Sequence, residues 1–160
     1  MWKKILIAED DKEVYEMFQI KLEKEWFDVS IVENWFDAIT TAVDEKPDVI
    51  LLDIMMPNMD GFKTLETLRQ QTSLDTKILI FSNLKTNQHI QEAKELWADE
   101  YMVKADYTPA QVCQKIVEVL GLNEESKNND ASNKQLKDWN GNSLVHKCPH
   151  CWEELNITIN

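Results

Sequence analysis

Glycine is scarce in this chain of 160 residues, which has only Gly61, Gly121 and Gly141. A glycine-rich loop that cradles phosphate needs several glycines close together, so these three exclude such a loop. Basic residues are also few, because 17 lysines and arginines stand against 29 aspartates and glutamates, which gives a formal net charge of −12. A surface this acidic repels nucleic-acid backbones, and we therefore expect no nucleic acid among the partners of this chain.

Long apolar runs are also absent, since none approaches the ~20 residues that a membrane-spanning helix needs. The N-terminal apolar run ends at Ala8, which is too short for the core of a signal peptide. We therefore expect a cytoplasmic protein with no membrane partner. The three cysteines, Cys113, Cys148 and Cys151, do not form the pattern of a disulfide framework, so reduced thiols or metal ligands are the better interpretations.

Apolar patterns typical of strands alternate with patterns typical of helices along the first 121 residues. Short apolar runs typical of buried strands occur at 5–8, 27–32, 48–53, 77–82 and 100–104. Apolar residues at helical spacing predict helices over 11–25, 35–45, 61–68, 88–97 and 108–121, the last opened by Thr108 as its cap and Pro109. Five strands alternating with five helices indicate an α/β fold, with a parallel sheet covered on both faces.

Charged and hydroxyl side chains follow four of the predicted strands. They are Glu9, Asp10 and Asp11 after the first strand, Asp53 after the third, Ser82 after the fourth and Lys104 after the fifth. In parallel sheets of this kind, sites form beyond the carboxyl ends of the strands. Crowded carboxylates need a cation, and their oxygens suit Mg²⁺. A carboxylate beside Mg²⁺ and a lysine can attack phosphorus and form an aspartyl phosphate.

The same residues resemble a known family, the CheY-like receiver domain of two-component response regulators. Four segments carry the resemblance in order and spacing, namely Ile5–Asp11, Leu51–Gly61, Ile80–Asn83 and Tyr101–Lys104. The resemblance covers residues 3 to 121. It implies a flavodoxin-like doubly wound fold of five parallel strands in the order 2-1-3-4-5 with five helices.

The resemblance also implies a role for each matching residue. Asp53 would accept a phosphoryl group from a sensor histidine kinase or a phosphotransfer protein in a phosphorelay. Mg²⁺ would be bound by Asp10, Asp53 and the backbone carbonyl of Met55, with Glu9 acting through water. Lys104 would pair with the phosphoryl oxygens. Asp11 is better interpreted as the cap of the first helix than as a metal ligand.

A conformational switch is implied by two further matches, since Ser82 would move onto the phosphoryl group and Tyr101 would rotate inward behind it. The output would be protein–protein contact around the fourth helix and fifth strand, with an unknown downstream protein; a homodimer is left open.

We expect this chain not to be an enzyme, apart from Mg²⁺-dependent self-phosphorylation and slow self-dephosphorylation. The self-dephosphorylation should be slow because, by the resemblance, the bulky Met55 and Leu84 flank the approach of water. A phosphatase with an aspartate nucleophile is a rival class, but Met55 stands where such enzymes have their second aspartate.

Three residues depart from the family pattern. Ala105 follows Lys104 where the family usually has a cis-linked proline, so either that bond is cis or the loop takes another path. Asn83 replaces a small residue after Ser82 and narrows the access to the site. Trp97 stands where a glycine commonly ends the fourth helix, and we expect its indole to enlarge the apolar surface beside Tyr101.

The composition changes after Gly121. We expect a receiver domain over 1–121, a polar linker over 122–145 and a short tail over 146–160, the tail being largely disordered. Cys148 and Cys151 resemble one knuckle of a zinc ribbon, but the second pair is absent. A free tail, a Zn²⁺ site shared with another chain or partner, and a redox dithiol remain open. A metal-responsive adaptor acting through this tail is the alternative function.

Overall fold

The computed structural model describes residues 2–57, 60–72 and 75–122. Strands and helices alternate along them in the order β1 Lys4–Ala8, α1 Lys12–Lys24, β2 Asp28–Val32, α2 Trp35–Glu45, β3 Val49–Leu52, α3 Gly61–Gln71, β4 Lys77–Ser82, α4 Asn87–Glu95, β5 Glu100–Val103 and α5 Pro109–Val119. All strand pairs are parallel, and the sheet order is β2-β1-β3-β4-β5. The predicted flavodoxin-like doubly wound fold is confirmed, and the prediction of a disordered tail falls outside the described residues.

The core consists of two apolar layers, one on each face of the sheet. Successive residues of β1 alternate between them, with Ile5 and Ile7 in the layer that includes Phe18 of α1, and Leu6 and Ala8 in the other. All four of these β1 residues are at most 1% exposed. A strand buried on both faces has no polar position, which explains the continuous apolar runs in the sequence.

Side-chain caps fix the starts of the five α-helices. Asp11, Asn34, Asp60, Thr86 and Thr108 each accept a hydrogen bond from a backbone N–H in the first turn of the helix that follows. A cap of this kind contributes about 1 kcal/mol. The caps predicted at Asp11 and Thr108 are confirmed. These caps lie in the short loops that join a strand to the following helix, so they also restrict the conformations of the loops that follow the strands.

Three helices are followed by a residue other than glycine in the left-handed conformation that glycine usually adopts at a helix end. Trp26, Lys46 and Trp97 take φ values of 65°, 50° and 64° after α1, α2 and α4. The fourth helix therefore ends at Glu95, two residues before the predicted end. Both tryptophans remain exposed, with Trp97 at 75% and Trp26 at 48%.

The chain after β5 takes a path that avoids the cis bond considered for Lys104–Ala105. No peptide bond in the described part of the chain is cis, and residues Lys104–Asp106 form a short 3-10 turn. This turn lets the backbone leave β5 while the Lys104 side chain extends across the ends of the neighbouring strands. Among the described residues, no helix is long and apolar enough to cross a membrane.

Candidate functional site

Three carboxylates meet beyond the carboxyl ends of β1 and β3. Ala8 and Leu52 are paired in register, and the N–H of Asp53 donates to the carbonyl of Ala8 at 2.9 Å, so the residues that follow these strands are neighbours. Oxygen atoms of Glu9, Asp10 and Asp53 all lie within 4.8 Å of one another. Glu9 and Asp53 are buried, whereas Asp10 is exposed and opens the cluster to solvent.

Lys104 bridges the two buried carboxylates from the far side of β4. Its Nζ donates to Oε2 of Glu9 and to Oδ2 of Asp53, both at 2.6 Å. The ammonium also lies 5.7 Å from the centre of the Phe81 ring, within the range of a cation–π contact. Burial alone would lower the pKa of Lys104, but its hydrogen bonds and ion pairs with Asp53 and Glu9 raise it, so Lys104 stays charged.

The cluster carries more negative charge than one lysine balances. Burial raises the pKa of Glu9 to about 7, and the charge of Asp53 adds to the rise, although the hydrogen bond from Lys104 opposes it. Burial disfavours the ionised form of a carboxyl group and a nearby positive charge favours it, so a cation bound here would keep Glu9 ionised. Carboxylate oxygens are the ligands that Mg²⁺ prefers, so the donor set of Glu9, Asp10 and Asp53 fits this ion.

The Asp53 carboxylate is held in one orientation. Its Oδ1 accepts from the N–H of Met55 at 2.8 Å, while Oδ2 accepts from Lys104. The loop that supplies this N–H lies directly against the start of α3, because a methyl group added at Gly61 would overlap the backbone carbonyl of Ile54. Gly61 therefore permits the close approach that holds the loop in place.

Ser82 and Tyr101 are linked through the backbone of Leu84. The N–H of Leu84 donates to Oγ of the fully buried Ser82 at 3.4 Å, and the hydroxyl of Tyr101 donates to the carbonyl of Leu84 at 2.7 Å. Burial raises the pKa of Tyr101, and the charge of Asp53 adds to this effect, so the phenol stays protonated and can donate. The backbone of Leu84 therefore contacts both side chains.

The structure thus brings Glu9, Asp10, Asp53 and Lys104 into one cluster, with Ser82 fully buried at the end of β4. The sequence reasoning missed the pair between Lys104 and Glu9 and the connection through Leu84. No short sequence pattern predicts either contact, because Lys104 and Glu9 are 95 positions apart and the contacts of Leu84 involve its backbone atoms. The predicted tail ligands Cys148 and Cys151 lie outside the described residues, and no observation supports Zn²⁺ there.

Comparisons with known proteins agree on one family. The sequence model of the response regulator receiver domain matches residues 5–117. The chain is 31% identical over 124 residues to the alkaline phosphatase synthesis transcriptional regulatory protein PhoP of Bacillus subtilis, with 78% of this chain and 51% of PhoP covered. The chain therefore spans about half the length of that curated relative.

Two solved structures are similar in fold and sequence. The BeF3-activated N-terminal receiver domain of Klebsiella pneumoniae RstA is 30% identical, with a TM-score of 0.68, and the match covers 74% of this chain and 98% of that receiver-domain chain. The chemotaxis protein CheY4 of Vibrio cholerae is 25% identical, with a TM-score of 0.69, and the match covers 75% and 100% of the two chains.

Proposed function

The chain belongs to the response regulator receiver domain family of two-component systems, and we propose that Asp53 is its phosphoryl acceptor. Receiver domains take phosphoryl groups from histidine kinases or phosphotransfer proteins and are generally signalling domains rather than enzymes. The bridging of Asp53 and Glu9 by Lys104 at 2.6 Å is the observation that carries the proposal, because it joins an oriented nucleophile to a fixed positive charge.

The proposed reaction is a direct transfer between donor and aspartate. An Asp53 carboxylate oxygen attacks the phosphorus of a phosphohistidine, a P–O bond forms, the P–N bond breaks, and the histidine leaves and takes up a proton. The N–H of Met55 keeps one oxygen of Asp53 occupied and so orients the carboxylate. Lys104 releases its hold on the other oxygen and pairs with the phosphoryl group as negative charge arrives.

Receiver domains bind Mg²⁺ at an acidic pocket, and the cluster described above corresponds to that pocket. We propose that Asp10, Asp53 and the backbone carbonyl of Met55 bind the ion directly and that Glu9 acts through a water molecule. A bound Mg²⁺ supplies positive charge to the phosphoryl oxygens. The exposure of Asp10 supports an entry route for the ion from solvent.

The proposed signal leaves the site through Ser82 and Tyr101. The Ser82 hydroxyl would lose the hydrogen bond that it accepts from the N–H of Leu84 and would donate to a phosphoryl oxygen instead. The hydroxyl of Tyr101 would then lose or shift its hydrogen bond to the Leu84 carbonyl. Output would follow by contact of a downstream protein with the face around α4 and β5. We also propose that residues 1–121 form the receiver unit, with 122–145 as a linker and 146–160 as a tail.

A mass measurement tests the phosphoryl acceptor. Purified protein is incubated with acetyl phosphate and Mg²⁺, and the intact mass is recorded. We expect one added phosphoryl group, about 80 Da for this aspartyl-phosphate chemistry, and none on Asp53→Asn. Asp44→Asn is the matched control, because Asp44 is an exposed acid of α2 without a described partner, and it should be modified like the wild type. Modification of Asp53→Asn to the wild-type extent would refute the assignment.

Slow self-dephosphorylation is the second part of the proposal. By the family resemblance, water approaches between the side chains two positions after Asp53 and two after Ser82, which are Met55 and Leu84. Neither can orient a water molecule, whereas general-base assistance speeds such a step by about 10²–10⁴-fold. Decay of the adduct after donor removal measures the lifetime, and Met55→Asn and Leu84→Glu should shorten it. Decay of the wild type within seconds, or unchanged decay in both variants, would refute the shielding by these residues.

A further inference from the structure

Trp97 presents its indole to solvent at the end of the sheet opposite the acidic cluster. It lies between α4 and β5, at the amino ends of the strands, whereas Asp53 lies at their carboxyl ends. At 75% exposure it is the most exposed large apolar side chain among the described residues. Its φ of 64° is unfavourable for a bulky residue, and such a conformation persists only where the surroundings hold it.

Hydrogen bonds from Arg69 of α3 stabilise this conformation of Trp97. Its Nη2 donates to the carbonyl of Trp97 and to Oδ2 of Asp99, both at 2.8 Å, and its Nη1 donates to the carbonyl of Thr76 at 2.9 Å. Asp99 also accepts from the N–H of Ile78 at 2.8 Å, which ties the loop to β4. These hydrogen bonds hold the backbone that carries the indole before any partner binds, so a partner would have little backbone to order there.

The indole lines one side of a cavity of about 580 Å³ between α3 and α4. The other lining residues are Glu66, Arg69, Gln70, Glu95 and Leu96. The volume falls within the usual range of binding sites, about 300–1,000 Å³.

The charges that remain free in this cavity are negative. Arg69 pairs with Asp99 at 2.8 Å, and Asp99 also pairs with Lys77 at 3.3 Å, so both cations contact a carboxylate outside the cavity lining. Glu66 makes no ion pair with the described residues, and Glu95 accepts only from the Gln91 amide, at 3.1 Å. An exposed aromatic face beside two available carboxylates favours a cation, because the face of an indole ring attracts positive charge.

We propose that this cavity is a docking site for a positively charged segment of a partner polypeptide. A lysine or arginine side chain of that segment lies against the Trp97 indole, and Glu66 and Glu95 pair with its charge. The formal net charge of −12 attracts such a segment and repels a second copy of this chain. The site lies at the end of the sheet opposite Asp53.

NMR titration of the full chain tests the site. The probe is the acetylated and amidated tetrapeptide Leu-Arg-Leu-Arg, and the same peptide with glutamate in place of arginine is the charge control. We expect the Trp97 indole N–H and the Gln70 side-chain amide to shift saturably with the arginine peptide and less so at high salt. No shift at millimolar peptide, or equal shifts with both peptides, would overturn the proposal.

Two glycine variants distinguish the contribution of the Trp97 indole to binding from its contribution to stability. Trp97→Gly removes the ring, and glycine suits the left-handed backbone, so the urea midpoint should stay the same or rise. The Kd for the arginine peptide, measured from the shift of the Gln70 amide, should increase by about three- to thirty-fold because the cation loses the indole face. Trp26→Gly is the matched control, since Trp26 has the same conformation after α1. It should leave the Kd unchanged.

The carboxylates are tested by the pair Glu66→Gln and Glu95→Gln, which should weaken arginine-peptide binding additively with little change in stability. Wild-type affinity in Trp97→Gly, or in the variant that carries both glutamines, would refute the role of these residues. A Trp97-dependent dimer in the absence of peptide, seen by sedimentation, would assign the surface to a second copy of this chain and overturn the cationic partner.

Discussion

Replacement of Lys104 by methionine tests the charge balance of the acidic cluster, because methionine keeps the apolar stem and removes only the ammonium. The variant leaves the Glu9 and Asp53 side chains, 4% and 6% exposed, without their shared partner. Two hydrogen bonds to charged acceptors disappear, each worth about 1.5 kcal/mol, so we expect a loss of about 3 kcal/mol in the free energy of unfolding. Removal of one partner from a buried ion pair gives a similar range, about 3–5 kcal/mol.

The lower end of that range applies here, because Glu9 can escape the repulsion by binding a proton, as its raised pKa of about 7 indicates. Urea unfolding in EDTA, extrapolated to water, measures the loss. For a domain of this size the same loss lowers the melting temperature by about 10 °C. Addition of Mg²⁺ should restore more stability to Lys104→Met than it adds to the wild type, because the ion then balances carboxylates that have no other cation.

Lys21→Met is the matched control for this prediction. Lys21 pairs with Glu25 at the same distance, 2.6 Å, but their side chains are 35% and 39% exposed. A surface pair of this kind on a helix contributes about 0.5 kcal/mol or less, so the control should unfold close to the wild type. Equal stability of Lys104→Met and Lys21→Met in EDTA, or an equal gain of both from Mg²⁺, would refute the reasoning.

Three further predictions concern the same molecule. Gly61→Ala should destabilise the fold by at least 2 kcal/mol, on the order of an overpacked core site, because the added methyl overlaps the Ile54 carbonyl, and a normal urea midpoint would contradict this contact. Asp10→Asn should abolish the Mg²⁺-dependent rise in melting temperature, and a full rise would exclude Asp10 as a ligand. Burial raises the pKa of Cys113 above its ordinary value of 9.0, so the folded state loses stability as the pH rises past 9. The urea midpoint of Cys113→Val should therefore fall less than that of the wild type between pH 8 and pH 10, and equal falls would contradict the shift.

The central strands were predictable because each is an apolar run bounded by charge or a turn, whereas β2 contains Asp28 and Ser30 and is less apolar. Residues 5–8 show no alternation since both faces of β1 are buried, and this pattern alone separates a central parallel strand from a surface strand. Helix starts were predictable where a capping side chain precedes the helix, as at Asp11 and Thr108. The end of α4 was not predictable from periodicity, because the apolar pattern continues through Leu96 and Trp97 while the backbone turns left-handed.

The composition of the candidate site was predictable and its connections were not. Strand ends locate Asp53, Ser82 and Lys104, since parallel strands end at one edge of the sheet. The length of the Lys104 side chain and the 3-10 turn beneath it decide that it reaches both Glu9 and Asp53, and no local pattern encodes that reach. Hydrogen bonds to backbone atoms, such as those at Leu84, are equally invisible in the sequence.

The most direct measurement of the central claim locates the phosphoryl group on one residue. Protein treated with acetyl phosphate and Mg²⁺ is reduced with borohydride, which converts a phosphorylated aspartate to homoserine, and the digested chain is sequenced by mass spectrometry. The account predicts homoserine at position 53 alone, and none when Mg²⁺ is removed with EDTA. Homoserine at position 10, or an unmodified Asp53 in protein that carries the adduct, would contradict it.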